Sequence, residues 1–139
     1  MILITGGSGQ LSKLICGKAR AAGLDFVVGS HHAAPQYPDR RRIDFDDPTT
    51  LNFAGVETVL LVSAGYGEDD VVMRRHDAVI TAAERFGVRH LVYTSLCGAG
   101  DHLAFALAHR WTERRLREST LDWTILRNGL YAELVGALA

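Results

Sequence analysis

The sequence is poor in the residues that mark whole classes of protein. Its 139 residues hold only two cysteines, Cys16 and Cys97, far apart and in no metal-like spacing, so neither a disulfide framework nor a structural zinc is indicated. Both are read as buried thiols. Lysine is confined to Lys13 and Lys18, and Lys plus Arg total 15 against 16 Asp plus Glu, a net charge of −1. No broad positive field exists to gather nucleic acid or an anionic membrane surface. Long apolar runs are missing too: the opening Met1–Ile4 gives way at Thr5-Gly6-Gly7, and nothing approaches the ~18 residues of a membrane span. A soluble cytoplasmic protein is expected. The six histidines fall in no H-E-x-x-H pattern, so no metal site is expected either.

What is present is ordinary globular composition, 47% hydrophobic and 22% charged, in a length suited to one core. Residues 1–139 are read as a single domain. Short apolar runs at Met1–Thr5, Phe26–Gly29, Arg42–Phe45, Val59–Val62, His90–Thr94 and Trp123–Leu126 alternate with helical patterns. Leu11, Leu14, Ile15, Lys18, Ala19 and Ala22 repeat at helical spacing and stop at Gly23. A short helix begins at Pro48 and stops by Gly55. A long one covers about Asp70–Phe86 before Gly87, and another about Leu103–Glu118. Ser30–Asp39, with Pro35 and Pro38, reads as loop. The alternation predicts an α/β fold: a doubly wound Rossmann-type parallel sheet of about six strands, with helices on both faces.

Thr5-Gly6-Gly7-Ser8-Gly9-Gln10-Leu11-Ser12 falls where the first strand meets the first helix, the context a dinucleotide-binding turn requires. One glycine permits positive φ, another lets backbone N–H groups approach a pyrophosphate, and the helix N-terminus favours the negative charge. The third glycine of the usual fingerprint is replaced by Ser12, which is still small enough for close helix–strand packing. The plainer alternative is a strand–helix turn with no ligand. At the end of the second strand, where NAD-binding chains carry an acidic residue for the ribose 2′-hydroxyl, the sequence reads Gly29-Ser30-His31-His32. Without a carboxylate there, NADP is accommodated through Ser30 and His31, and NAD is not excluded. Alternatively, the histidines are solvated loop residues.

The chain resembles the NmrA-like atypical short-chain dehydrogenases, and among them the NAD(P)H:quinone oxidoreductase type 2 branch. The resemblance is carried by 3–11 (LITGGSGQL), 44–48 (DFDDP), 75–80 (RHDAVI), 87–95 (GVRHLVYTS), His109-x-x-Thr112-Glu113 and 124–129 (TILRNG) with Tyr131 and Glu133. It implies that Gly6, Gly7, Ser8, Gly9, Gln10 and Leu11 hold the pyrophosphate, that Asp44 and Phe45 lie beside the adenine, and that Ser63, Ala64 and Gly65 run along the cofactor. Thr94 and Ser95 are then at the carboxyl end of a central strand, and Asn128 and Tyr131 near nicotinamide and substrate. Each has a plainer alternative: Asp44 capping a loop, Phe45 in the core, Thr94 satisfying backbone.

The departures from the family matter as much. Short-chain dehydrogenases use Tyr-x-x-x-Lys, but the residues four after Tyr37, Tyr66, Tyr93 and Tyr131 are Arg41, Asp70, Cys97 and Val135. Alcohol dehydrogenation through a lysine-activated phenol is therefore disfavoured. Reduction of a quinone asks less of the protein, since the hydroquinone anion formed by hydride transfer needs only a proton, for which His109 is a chemically reasonable donor. The alternative for His109 is an exposed helix position. Leu130 and Leu134 replace the tryptophan and asparagine that the family resemblance leads one to expect. Family members are about twice as long, so most of the substrate half is expected to be missing unless a second subunit or another chain supplies it. The resulting expectation is an NAD(P)H-dependent reductase of quinones or similar small electrophiles, with His109, Asn128 and Tyr131 as catalytic candidates. A non-catalytic NAD(P) redox-sensing module is the alternative. The apolar tail Leu130–Ala139 is expected to pack on its own sheet or in a homodimer.

Overall fold

The computed structural model describes residues 1–31, 39–64, 67–97 and 106–129. Strands β1 (Ile2–Ile4), β2 (Phe26–Ser30), β3 (Arg40–Arg42), β4 (Thr58–Leu61), β5 (His90–Leu96) and β6 (Asp122–Asn128) alternate with helices α1 (Gln10–Ala21), α2 (Asp69–Arg85) and α3 (Ala106–Arg117). The six strands form one parallel sheet in the order β3-β2-β1-β4-β5-β6. Chain direction across the sheet reverses between β1 and β4, so their carboxyl ends open a crevice at the switch point of the doubly wound fold.

Alternation along the strands sends successive side chains to opposite faces. Leu3, Val27, Val59, Leu61, Leu91 and Tyr93 join Val79, Ile80 and Ala83 of α2 and Leu116 of α3 in the larger core. Their neighbours Ile4 and Val28 pack instead against Cys16 and Ala19 of α1. The connection after β3 adds Leu51, Phe53 and Val56 to the larger core. Two arginines fasten the outer layer. Arg75 of α2 donates from Nε and Nη2 to Asp46, each at 2.8 Å, and Arg115 of α3 reaches Asp77 at 2.7 Å and Glu84 at 2.9 Å on α2.

Several boundaries differ from the sequence pattern for identifiable reasons. The third strand is Arg40–Arg42 rather than Arg42–Phe45, so Arg42 ends it. Hydrogen bonding to Val28–Ser30 decides the strand, and the turn chemistry of Asp44 and Asp47 ends the extended run that Ile43 and Phe45 suggested. The helix at Pro48 is one 3-10 turn, Pro48–Thr50, with the Asp47 carboxylate accepting from the Thr49 amide. β5 begins at His90 and runs on past Thr94 to Leu96, and His90 Nε2 pairs with the Thr124 hydroxyl at 2.7 Å. Cys16 is buried as expected, but Cys97 is exposed, because it leaves the sheet just past Leu96. The loop core 32–38, Gly65, the start of the third long helix at Leu103, and the tail 130–139 with Tyr131 lie outside the described residues. Among the described residues, no helix is long and apolar enough to cross a membrane, and no group of His, Cys, Asp and Glu is placed to hold a metal.

Candidate functional site

The glycine turn is pressed against the second strand. Gly6 has φ +67°, which glycine adopts without strain. Gly7 is buried and donates its amide to the Gly29 carbonyl at 3.0 Å, and a Cβ built on it overlaps the Val28 side chain. Gly9 is the N-cap of α1, where it supplies no side chain to cap the helix, and the first turn carries no acidic residue. A Cβ-free approach leading into a helix N-terminus without acidic residues fits a pyrophosphate. Ser12 does more than fit: fully buried, its hydroxyl donates to the Thr5 carbonyl at 2.7 Å and ties α1 to the end of β1.

A second cluster fixes the segment after β4. Three consecutive amides are each taken by a side chain from a different element: Val62 N–H donates to Thr5 Oγ1 at 2.9 Å, Ser63 N–H to Thr94 Oγ1 at 2.9 Å, and Ala64 N–H to His76 Nε2 at 2.9 Å. The Thr112 hydroxyl donates to the Ala108 carbonyl, so the proton between it and His76 Nδ1, 2.8 Å apart, belongs to the imidazole. Nε2 is then the bare nitrogen that Ala64 requires. Complete burial pushes the His76 pKa down to about 3, with the neighbouring His109 and Arg75 adding to the effect, so the ring stays neutral.

Three successive residues of β5 organise the sheet edge. Tyr93 OH pairs with His109 Nδ1 at 2.6 Å, Thr94 holds Ser63 as above, and the Ser95 hydroxyl donates to Glu113 Oε2 at 2.8 Å. Burial raises the Tyr93 pKa, so the phenol keeps its proton. Burial lowers that of His109, against the opposing pull of Glu113. A phenol that donates to Nδ1 leaves the proton of the neutral His109 ring on Nε2, and one that accepts from it leaves that proton on Nδ1. For Glu113, burial alone works to raise the pKa, but hydrogen bonds from Arg127 and Ser95 outweigh it and the group is held ionised. Glu113 Oε1 takes Arg127 at 2.7 Å and Arg117 at 3.3 Å. His109 is thus half-buried rather than an exposed helix position, and it lines a cleft of about 390 Å³ together with Glu113 and Arg127.

The candidates from sequence fall into three places. Gly6, Gly7, Ser8, Gly9, Gln10 and Leu11 form the turn and the start of α1, and Ser30, buried at the end of β2, lies against Gly7, with exposed His31 next in the chain. Ser63, Ala64 and Thr94 meet at the switch point. Ser95 and His109 stand at the Glu113 cluster. Asp44 closes its own turn, accepting from the Asp46 amide at 2.9 Å, and Phe45 packs against the larger core, so both do the structural work of the plainer alternatives. Asn128 ends β6 opposite Leu96 and accepts from the Cys97 amide at 2.7 Å through its carbonyl. Gly65 and Tyr131 lie outside the described residues. Sequence reasoning missed His76, Tyr93, Glu113 and Arg127. No local motif links His76 to Ala64 twelve residues earlier.

The NAD(P)H-binding family matches residues 6–133. The chain is 36% identical to an NmrA-like family domain-containing oxidoreductase of Aspergillus flavus, over 94% of this chain and 48% of that protein. It is 35% identical to quinone oxidoreductase 2 of Escherichia coli, over 96% and 50%. The fold superposes with TM-score 0.87 and 32% identity on a crystal structure of an Escherichia coli NADPH-dependent quinone oxidoreductase complexed with NADPH, covering 99% of this chain and 53% of that one. The chain spans about half the length of the curated relatives it matches. Glycine turn, strand order and sequence agree: the chain belongs to the NAD(P)H-binding family, with an NmrA-like oxidoreductase and quinone oxidoreductase 2 among its homologues.

Proposed function

We propose that this chain carries the cofactor half of an NAD(P)H-dependent reductase of quinones or similar small electrophiles. The observation that carries the reading is the turn Gly6–Gly9, packed on Val28 with no room for a Cβ at Gly7 and opening into the N-terminus of α1. Its backbone would hold the pyrophosphate. Ser63 and Ala64, locked by Thr94 and His76, would form the wall along the cofactor. At the end of β2, Gly29-Ser30-His31 presents no carboxylate to repel a 2′-phosphate, which supports NADP over NAD. The Escherichia coli structure was solved with NADPH, in line with that preference.

When bound, the nicotinamide supplies a hydride, which together with one proton converts a quinone to its hydroquinone. The protein's part is orientation and the proton. Burial keeps His109 mostly neutral near pH 7, so it assists first as a hydrogen-bond donor, and as an acid only in its minor protonated form. The matched relatives are oxidoreductases, which favours catalysis over the redox-sensing alternative. A second copy of the chain is the proposed partner, since among the described residues β6 is an edge strand with Trp123 and Leu126 exposed, and sedimentation at micromolar concentration tests it. Function is tested by following NADPH absorbance over a panel of quinones. Quinone-dependent oxidation is expected; tight cofactor binding with no turnover on any quinone would overturn the reductase reading.

A further inference from the structure

Tyr93 places a phenol where a plain ring would serve the core. It is fully buried in β5 as part of the larger core, with the imidazole of His76 set edge-on at 5.4 Å between ring centroids. A phenylalanine would fill the same space without bringing a hydroxyl that must be satisfied away from water. That hydroxyl lies 2.6 Å from Nδ1 of His109, whose ring is 5.9 Å away and lines the cleft beside α3. The Ser95–Glu113 bond at 2.8 Å holds the same helix against the same strand, so the backbone of His109 is fixed as well as its ring.

What else reaches the phenol oxygen bears on the direction of the bond. The hydroxyls of Thr112 and Ser63 are its other hydrogen-bond partners. Thr112 commits its proton to the Ala108 carbonyl at 2.8 Å, so Ser63 is the partner with a proton to donate. With Ser63 donating to the phenol oxygen, the phenol's own proton is directed to His109 Nδ1, and the proton of the neutral imidazole sits on Nε2, the nitrogen left for the cleft. Hydroxyl, phenol and imidazole then form one directional chain in which each bond polarises the next. It starts at the segment after β4, where Thr94 also holds the Ser63 amide, and ends at the cleft.

We propose that Tyr93 is a positioning residue: its hydroxyl, held by Ser63, donates to His109 and fixes the imidazole with Nε2–H presented to the cleft, where it meets the oxygen of the electron acceptor. The encounter with the acceptor rests on the reductase reading above; the orientation of the imidazole does not.

The test therefore has a spectroscopic arm and a kinetic arm. Long-range proton–nitrogen correlation spectra of the histidine rings, recorded above neutral pH, read which nitrogen of His109 carries the proton, with His109→Phe identifying its signals. In the unaltered protein the proton is expected on Nε2, and Tyr93→Phe should shift the Nδ1 resonance as its hydrogen bond is lost. A proton on Nδ1, or ring signals that Tyr93→Phe leaves in place, overturns the proposal. In the kinetic arm, Tyr93→Phe keeps the buried ring and removes only the hydroxyl. With naphthoquinone as acceptor, kcat should fall about tenfold, the size of one neutral hydrogen bond, with NADPH affinity unchanged. In the His109→Phe background the same substitution should lower kcat no further, because the phenol acts through the imidazole. An unchanged kcat in folded Tyr93→Phe, or an equal loss in both backgrounds, overturns the positioning role while leaving quinone reduction intact. If the unaltered protein turns over no quinone, the reductase reading falls, and the spectra of the unaltered protein still decide whether Tyr93 orients His109.

Discussion

The imidazole of His76, completely buried in α2, accepts the amide proton of Ala64 at 2.9 Å while its other nitrogen donates to Thr112 of α3. One ring thus connects the segment after β4 to both helices of the larger core. His76→Phe keeps an aromatic ring but leaves the Ala64 amide without its partner, while the Thr112 hydroxyl keeps its bond to the Ala108 carbonyl, so the lost bond costs ~1–3 kcal/mol. The expected outcome is a lower melting temperature together with weaker NADPH binding, because the wall formed by Ser63 and Ala64 loosens. Calorimetry on the folded variant at low temperature separates the two: unchanged NADPH affinity would show that the ring serves stability alone.

The same ring makes stability pH-dependent. Folded, His76 resists protonation until about pH 3, whereas in the unfolded chain it takes up a proton around 6.5. Its folded pKa is depressed, so the stability tied to the neutral ring is present above pH 6.5 and declines as the pH falls toward 3, by at most ~1.4 kcal/mol per pH unit. His109 shifts in the same direction through burial. Glu113 adds its own loss only below the ordinary carboxylate value of 4.5, since its pKa too is lowered. Thermal melts between pH 7 and 5 should therefore show a falling melting temperature whose slope is smaller, though not zero, in His76→Gln.

His109 separates two catalytic roles by pH. If imidazolium delivers the proton to the reduced quinone, kcat rises as the pH drops through a pKa below 6.5; if the neutral ring only donates a hydrogen bond, kcat is flat across neutrality. Burial lowers the His109 pKa below its ordinary value, so the ring is mainly neutral near pH 7, which favours a flat profile there with a rise on the acid side. His109→Phe should lower kcat by ~100-fold, the lower end of what positioned proton donors contribute, with little change in NADPH affinity. An unaltered kcat in a folded His109→Phe protein would remove the histidine from the reaction.

How far the sequence foretold this arrangement depended on the range of the interaction. The glycine turn was legible because Thr5 through Ser12 carry its geometry locally, and a doubly wound parallel sheet of about six strands followed from alternation and crossover handedness. Asp44 and Phe45 match the family pattern, and in the structure Asp44 also closes its own turn and Phe45 also meets the core, since turn chemistry and burial use the same residue types as a ligand. The Arg40–Arg42 strand was hidden because ladder pairing with β2, not hydrophobicity, makes it a strand. The contacts His76–Ala64, Tyr93–His109 and Glu113–Arg127 join residues 12 to 16 positions apart through the tertiary fold, and no local spacing encodes them.

Glu113 offers a separate check on the sheet edge. Replacing it with Ala strands the buried Ser95 hydroxyl and removes the shared anchor of Arg127 and Arg117. Because both arginines stay about half-exposed and can turn to water, the cost should be ~1–3 kcal/mol, that of the unsatisfied hydroxyl, rather than that of a fully buried ion pair. Chemical denaturation measures it. A cost under half the lower figure would mean that water reaches Ser95 without difficulty.

Two glycines, finally, separate a binding role from a conformational one. Gly23 has φ +69° with nothing within 4 Å of a built Cβ, so Gly23→Ala meets only backbone strain, on the order of 1 kcal/mol. Gly7→Ala meets a different obstacle: the new methyl overlaps Val28, a fully buried residue of the smaller core, and either that core or the turn must move. Overpacking of this kind costs ~1–3 kcal/mol. Both variants should melt earlier. If the turn holds the pyrophosphate, saturating NADPH should still raise the melting temperature of Gly23→Ala by the unaltered protein's increment and that of Gly7→Ala by much less, since ligand stabilisation scales with the logarithm of concentration over Kd. Equal increments would place the cofactor away from Gly7.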